Sequence, residues 1–177
     1  MEPIEINAGT YYLRALRADG QIDDRPAIVA AFADPEMRRW VDDYRIEDLA
    51  DADAYVQRRD AQWADGVRCS WAVAEPTTGA LLGEVDLRGL DEGPEGAQAA
   101  CWTHPEHRGR GVAATALAAA MRFGFGFLGL TKIGYQHLAD NVGSRRVAEK
   151  CGFKLSGETV EHRDGAEVRL LHWVAVN

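Results

Sequence analysis

A short basic glycine turn between a predicted strand and a predicted helix constrains the fold of this chain more than any other feature. The strand covers Gln98 to Thr103, the turn reads Arg108-Gly109-Arg110-Gly111, and an Ala-rich helical stretch runs from Gly111 to Leu128. The first N–H groups of a helix have no intrahelical partner, and the helix dipole favours negative charge beside them. The glycines let an anion approach the backbone, and the arginines add countercharge. The pattern predicts an anion site at a helix start; an ordinary turn that begins a helix is the alternative.

Several other functional classes are excluded by motif and charge. The dinucleotide pattern G-x-G-x-x-G fails because Ala114 stands at the next required position, and the phosphate loop G-x-x-x-x-G-K-[ST] does not occur in the sequence. The net charge of -8 and the lack of any cluster of four or more basic residues argue against nucleic-acid binding. No apolar run is long enough to span a bilayer, so we expect no membrane segment.

The cysteines and the first residues predict a cytoplasmic protein. Cys69, Cys101 and Cys151 are odd in number and lack metal-ligand spacing, which fits buried thiols in a reducing compartment. Met1-Glu2-Pro3-Ile4 lacks the basic and apolar pattern of a secretory signal. At 177 residues, the chain suits one domain over residues 1–177, and we expect no metal.

The order of the predicted elements favours an α/β (α+β) fold with a mixed sheet. Asp24 and Pro26 predict a first helix, and Asp34-Pro35 should end or kink it. The segment 98–138 reads as a β-α-β unit, whereas the hairpin before it is antiparallel. The other predicted elements are strands at 11–17, 70–74, 81–90, near 153 and 168–174, and helices at 47–65 and 142–151.

Strict alternation assigns the side chains of strand 81–90 to two faces. One face carries Leu81, Gly83, Val85 and Leu87, and the other carries Leu82, Glu84 and Asp86. The polar face makes Glu84 and Asp86 candidates for chemistry, acting directly or through water. Solvated strand residues are the alternative for each of them.

Two motifs in the right order resemble the Gcn5-related N-acetyltransferase (GNAT) superfamily. Arg108-x-x-Gly111-x-Ala113 looks like its acyl-CoA signature, and the stretch from Trp102 to Gly111 resembles the branch containing ribosomal-protein N-terminal acetyltransferases. The stretch from Asp140 to Phe153 matches the same branch at the usual distance downstream. The resemblance covers nearly the whole chain. It implies a single GNAT-like domain with a mixed, mostly antiparallel, twisted sheet of about seven strands, about four helices and splayed central strands.

The resemblance implies acetyl-CoA as the acyl donor. The pantetheine arm would lie between the splayed strands, the pyrophosphate would rest on the N–H groups of Gly109 to Ala113, and a strand N–H would meet the acetyl oxygen. An amine would attack the thioester directly, without an acyl-enzyme. The residues implied to bind the donor are Trp102, Thr103, His104, Arg108, Gly109, Arg110, Gly111, Val112, Ala113, Asn141 and Ser144.

Asn141 and Ser144 each have a structural alternative. The resemblance assigns Asn141 to the cofactor arm and Ser144 to catalysis, as hydrogen-bond or proton donor to the leaving CoA thiolate. By spacing alone, Asn141 caps a helix and Ser144 lies in its first turn. Helical spacing puts Ser144 on one face with Val147 and Cys151, so its side chain is expected to point inward.

The general base is open, because Gln98 stands where the family often has Glu, and an amide does not take a proton. Glu84 is the candidate base. Asp86 and His137 are assigned to the acceptor side, and a packed, hydrogen-bonded side chain is the alternative for His137. Trp40 and Tyr44, beside the break after Pro35, are predicted to line an acceptor pocket, with core aromatics as the alternative.

The sequence therefore predicts transfer of an acetyl group from acetyl-CoA to a primary amine, on a protein N-terminus or a small molecule. A structural thiol is the interpretation of Cys101, because no partners are spaced to activate it. The alternatives are a non-catalytic acyl-CoA sensor, which Gln98 favours, and a transferase for a longer acyl chain. The acceptor's identity and the oligomeric state are open, with a homodimer among the alternatives.

Overall fold

Eight strands and five α-helices make up the part of the chain that the computed structural model describes, residues 1–41, 43–163 and 165–177. The strands are β1 (Ile6–Asn7), β2 (Tyr12–Arg14), β3 (Arg68–Ala74), β4 (Leu81–Arg88), β5 (Gln98–Thr103), β6 (Lys132–Leu138), β7 (Lys154–Arg163) and β8 (Ala166–Val176). The helices are α1 (Arg25–Ala33), α2 (Pro35–Trp40), α3 (Leu49–Asp65), α4 (Val112–Gly126) and α5 (Val142–Lys150). Within these ranges, no helix combines the length and apolarity that a membrane crossing requires.

One mixed sheet contains all eight strands, in the order β1-β2-β3-β4-β5-β6-β8-β7. β5 and β6 are parallel and joined by α4, whereas the other neighbouring pairs are antiparallel. The parallel pairing is short: Gln98 pairs with Gly134 and Ala99 with Tyr135. β5 continues to Thr103 without another β6 partner among the described residues. The predicted α/β (α+β) fold with splayed central strands is therefore confirmed.

Two short elements raise the counts above the seven strands and four helices that the sequence led us to expect. β1 adds an edge strand by pairing with β2. α2 begins at Pro35, where the Asp34 carboxylate accepts a hydrogen bond from the N–H of Met37 at 2.9 Å. Asp34-Pro35 thus ends one helix and starts the next, because the residue before proline avoids helical geometry and Asp is a good N-cap.

The Asp24 carboxylate does not cap α1, contrary to the sequence prediction. It accepts two hydrogen bonds of 2.7 Å from the guanidinium of Arg14 and one of 2.8 Å from the N–H of Arg17. Arg14 and Asp24 are both buried, and a two-pronged ionic pair holds a carboxylate more strongly than a single peptide N–H does. Because the N–H of Arg17 bonds to Asp24 and not to a neighbouring strand, β2 ends earlier than predicted.

Two apolar clusters hold the helices against the sheet. One cluster fixes α4 and includes Trp71, Leu117 and Ile133. The other fixes α1 and α3 and includes Phe32 and Val56.

A β-bulge in β4 reverses part of the predicted alternation. Val73 of β3 pairs with Gly83, but Ala74 pairs with Leu81, so Leu82 is an extra residue on β4. Leu82 therefore packs in the cluster that fixes α4, and Leu81 packs in the cluster that fixes α1 and α3. The sequence prediction had these two leucines on the opposite faces, because an inserted residue shifts side-chain alternation by one.

Candidate active site

The basic glycine turn leads into an open helix N-terminus. Gly111 occupies the N-cap position of α4 with φ of 77°, and Gly109 has the same φ, which a residue with a Cβ adopts at a cost. The first helical hydrogen bond runs from the N–H of Thr115 to the carbonyl of Gly111, at 3.0 Å. Among the described residues no side chain caps this helix, and its first turn has no acidic residue. The N–H groups at the start of α4 can therefore receive an anion.

The two arginines of the turn have different surroundings. Arg108 donates to the carboxylates of Asp34 and Glu36, at 2.7 Å each, so its guanidinium ties the turn to the start of α2. Arg110 is exposed, and its Nη1 lies 3.4 Å from Nδ1 of His107. The Arg108 guanidinium, which was predicted to neutralise a bound anion, is thus paired with two carboxylates in this structure. Arg110 is exposed to solvent beside the helix start.

The opening between β5 and β6 begins at Ala100. On the β4 side, β5 stays paired as far as Thr103, and the N–H of His104 donates to the carbonyl of Leu82 at 2.8 Å. The edge of residues 100–103 that faces away from β4 is left without a strand partner among the described residues. His104 itself is buried, and its Nδ1 accepts from the N–H of Glu106 at 3.3 Å. Burial lowers the pKa of His104, so its ring is neutral near pH 7.

Ser144 and Tyr135 meet on one side of the opening. The side-chain oxygen of Asn141 accepts from the N–H of Ser144 at 2.9 Å, so Asn141 caps α5, which was the structural alternative for it. The side chain of Ser144 lies beside the hydroxyl of Tyr135, and that hydroxyl is 3.7 Å from Sγ of Cys101. Burial raises the pKa of Tyr135 well above its ordinary value and that of Cys101 to about 12. Both groups are therefore protonated near pH 7.

Glu84, the candidate base, is fully enclosed on the opposite face of the sheet. One carboxylate oxygen accepts from Nε of Arg59 at 2.8 Å, and the other accepts from the Trp102 indole at 3.0 Å and from the hydroxyl of Tyr55. The Trp102 ring also packs edge-on against Phe32. These contacts give both oxygens of Glu84 hydrogen-bond partners, so they fit it to holding the Trp102 ring.

Asp86 lies two residues further along β4, where it pairs with Ala100 of β5. It is buried, and one carboxylate oxygen accepts from Nη2 of Arg68 at 2.6 Å. Nη1 of Arg68 donates to the hydroxyl of Tyr44 at 3.3 Å, and Tyr44 packs edge-on against Tyr55. Burial raises the pKa of Asp86, although Arg68 opposes that shift.

His137 has hydrogen-bond partners at both ring nitrogens. Nε2 accepts from the Trp173 indole at 3.0 Å, and Nδ1 lies 2.8 Å from the carbonyl of Leu138, to which it donates. Burial lowers the pKa of His137. His137 is thus packed and hydrogen-bonded, which was the alternative for it, and neither ring nitrogen is free to bind an acceptor amine.

A groove of about 620 Å³ lies beside the end of β6. Arg39 of α2 and Asp140 both line this groove and form an ion pair of 2.5 Å, and the Arg39 guanidinium lies over the Trp40 ring. Its lining residues are Arg39, Leu138, Ala139, Asp140, Arg163, Glu167, Val168 and Arg169. The residues predicted for the acceptor are not among them: Trp40, Tyr44, Asp86 and His137.

The model of the family described as "Acetyltransferase (GNAT) domain" matches residues 12–154, which is most of the chain and includes both motifs. The chain belongs to the GNAT acetyltransferase family. As a GNAT acetyltransferase it is an acetyl-CoA-dependent acyltransferase, and its sequence-based resemblance to that family is confirmed.

Relatives of this GNAT acetyltransferase are found by sequence and by fold. "Uncharacterized N-acetyltransferase YoaA" of Bacillus subtilis is 28% identical over 134 residues, which cover 76% of each chain. The ribosomal-protein-S5-alanine acetyltransferase of Vibrio fischeri has a TM-score of 0.81 at 14% identity, covering 98% of this chain and 97% of its own. The spermidine N-acetyltransferase of Vibrio cholerae, solved with CoA and spermine, has a TM-score of 0.78 at 21% identity, covering 94% and 95%. At these identities, the two solved structures establish the shared fold.

Sequence reasoning missed the partners that surround the candidate site residues. Tyr135 was placed only within a strand, yet its hydroxyl lies beside Ser144 on one side of the opening of this GNAT acetyltransferase. Arg59 was placed only on a helix, and Arg68 lay outside the predicted strand 70–74, yet they form ion pairs with the two buried carboxylates of β4. The sequence did contain a signal for these arginines: Glu84 and Asp86 occupy alternate positions of one strand, and buried carboxylates need cationic partners.

Proposed function

We propose that this GNAT acetyltransferase moves an acetyl group from acetyl-CoA to a primary amine by direct attack within a ternary complex. The opening between β5 and β6 carries the proposal, because it lies between the open start of α4 and the hydroxyls of Ser144 and Tyr135. An anionic pyrophosphate fits the helix start, and an amide-bearing arm fits the unpaired edge of residues 100–103. An acyl-CoA has these groups in this order.

In the proposed reaction, the amine nitrogen attacks the thioester carbon. A C–N bond forms, the C–S bond breaks, and the electron pair of the C–S bond leaves with sulfur. The hydroxyl of Ser144 donates a hydrogen bond or its proton to the thiolate, with the Tyr135 hydroxyl beside it. An N–H on the open edge of β5 would meet the acetyl oxygen as it gains charge. Cys101 does not form an acyl-enzyme in this scheme, because burial raises the pKa of its thiol to about 12.

The acceptor is proposed to enter through the groove beside β6. Arginines and carboxylates both line it, so its charge favours neither a cationic nor an anionic acceptor. Proteins of this fold include acetyltransferases named for a ribosomal protein and for spermidine. We therefore propose a primary amine as the acceptor class, covering both a protein N-terminus and a small molecule.

Calorimetry with acetyl-CoA and CoA tests the donor half of the proposal. We expect wild-type protein to bind both, and Gly111→Asp to weaken binding because it adds negative charge and a Cβ where φ is 77°. Gly129→Asp is the matched control, because Gly129 has φ of 68° with open space around it but lies beyond the C-terminal end of α4. If wild type binds neither compound, or if the two variants bind equally well, the proposal is wrong.

A non-catalytic acyl-CoA sensor is the second candidate function, and Gln98 favours it. This side chain is exposed at the start of β5 and packs over Gly134, where an added Cβ would lie 2.3 Å from the amide nitrogen of Gln98. A base is therefore missing from the strand position where the family often has one. Thiol release from acetyl-CoA across a panel of amines, diamines, aminoglycosides and N-terminal peptides separates the two functions. Tight binding of acetyl-CoA, with no thiol released in the presence of any of these amines, would favour the sensor function.

A further inference from the structure

Three buried polar atoms on neighbouring strands have no hydrogen-bond partner among the residues that the structure describes. They are Nε of Arg68, Oγ of Ser70 and Oδ1 of Asp86. Arg68 and Ser70 lie two residues apart on one face of β3, and Ser70 is the direct neighbour of Asp86 on β4. A buried polar group without a partner is costly, and buried groups of this kind are usually satisfied by ordered water. The three atoms supply one donor, one acceptor and one hydroxyl, which together match the bonding of a water molecule.

This cluster lies beside the point where the sheet opens. Asp86 pairs on its other side with Ala100, the first residue of β5 beyond the β6 pairing. Ala100 is half-buried and shares the sheet face of Asp86, so the β5 residue next to that carboxylate carries only a methyl group. Glu84 has the same strand and face, but both its oxygens are bonded.

Charges of both signs surround Asp86. Arg68 from β3 and Arg88 from β4 favour its ionised form, whereas burial and Glu84 favour its neutral form. Arg59 of α3 pairs with Glu84, and the Tyr44 hydroxyl bonds to Arg68. Burial is the largest of these influences and raises the pKa of Asp86, which makes the carboxylate a better proton acceptor than an exposed one.

We propose that Arg68, Ser70 and Asp86 hold an ordered water, and that Asp86 receives through it the proton that the acceptor amine loses. This inference rests on the proposed acetyl transfer and gives that reaction the proton acceptor that Gln98 does not supply. As the C–N bond forms, the nitrogen releases a proton to the water, and the water passes one of its own protons to Oδ1 of Asp86. Solvent regains the proton after product leaves. Asp86 touches no substrate atom, so it is a positioning residue for the water.

The pH dependence of single-turnover acetyl transfer tests the proposal, with an amine that wild type accepts. Asp86→Asn keeps the side-chain volume and removes the proton acceptor, so we expect the single-turnover rate to fall by about 10²-fold or more. The decrease of that rate at low pH, which we call the acidic limb of the pH–rate profile, should also disappear. Ala100→Val leaves Asp86 intact but blocks its path to the opening, so it should cause a similar loss. CoA affinity and the unfolding temperature are measured for each variant. If both variants keep the acidic limb of wild type, the inference is overturned.

A measurement on the free protein separates this inference from the acetyl-transfer proposal. Carboxyl-¹³C NMR follows the Asp86 resonance from about pH 4 to 8, a range that brackets a raised carboxyl pKa. We expect a titrating resonance that is lost in Asp86→Asn and shifted in Ser70→Ala, which removes one ligand of the water. A resonance that does not titrate, or that Ser70→Ala leaves unchanged, overturns the inference even if acetyl transfer is found. If no amine is acetylated, the proposed function fails and the resonance alone decides whether the water site exists.

Discussion

At the residue scale, Ser144 and Tyr135 place two hydroxyl groups side by side, at the position proposed for the leaving sulfur. Because burial raises the pKa of Tyr135 well above its ordinary value, its hydroxyl keeps its proton near pH 7. Ser144 lies in the first turn of a helix whose N-terminus carries partial positive charge. The pair is therefore suited to stabilising a thiolate.

For Ser144→Ala we expect acetyl transfer to slow by about 10²-fold or more, with little change in CoA affinity, because only the departing thiolate needs the hydroxyl. Stopped-flow measurement of thiol release, together with calorimetry, checks both values. Ser156→Ala is the matched control, since its exposed hydroxyl donates to the carbonyl of His172 on the β7–β8 hairpin. An unchanged rate in Ser144→Ala would leave Ser144 as a helix-turn residue.

At the scale of elements, α2 connects the two halves of the proposed donor site. Asp34 and Glu36 at its start pair with Arg108, and Arg39 near its end pairs with Asp140, the residue before Asn141. The six-residue helix thus reaches from the glycine turn to the start of α5. Its acidic end competes with an anionic ligand for the Arg108 guanidinium.

Glu36→Gln should therefore tighten CoA binding by a few-fold, and by no more than about fivefold, since an exposed ion pair contributes about 0.2–1 kcal/mol. The gain should shrink at high salt because the competing charges are screened. Glu47→Gln serves as the control, because it removes another exposed Glu–Arg pair, at 2.8 Å, away from the turn. Calorimetry at two salt concentrations measures the effect, and weaker binding by Glu36→Gln would show that Glu36 organises Arg108 for CoA.

At the scale of the whole molecule, buried neutral histidines make stability depend on pH. Burial lowers the pKa of His137 and His104 below the ordinary 6.5, so the unfolded chain binds more protons than the folded one just below that pH. Their contribution is fully present above pH 6.5 and is lost as the pH falls toward the folded pKa values. In His137, a new proton would oppose the indole N–H of Trp173.

We expect the free energy of unfolding to decline between about pH 6.5 and 5, and to decline less steeply in His137→Asn. Urea unfolding across this range measures the slope. His162→Asn is the control, because His162 is an exposed residue of the hairpin. Equal slopes in the wild type and His137→Asn would mean that another group dominates the acid response.

The features predictable from the sequence depend on the local backbone. Gly109 and Gly111 adopt the left-handed conformation that glycine favours, and Asp34-Pro35 breaks the helix where the proline requires it. The bulge at Leu82 and the ion pair of Glu84 with Arg59 depend on partners that are distant in the chain. Alternation along β4 alone contains no information about either partner, so those features appear only in the folded structure.

The short β5–β6 pairing has a consequence for the dynamics of the sheet. Within the sheet, only two strand-paired residue pairs of the described chain join the block β1–β5 to the block β6–β8. Amide hydrogens on the open edge of residues 100–103 have no strand partner, so in the free protein they should exchange with solvent far faster than those inside β3 and β4. Acetyl-CoA should then protect this edge and the first turn of α4 together, which would make hydrogen exchange a map of donor binding that needs no acceptor.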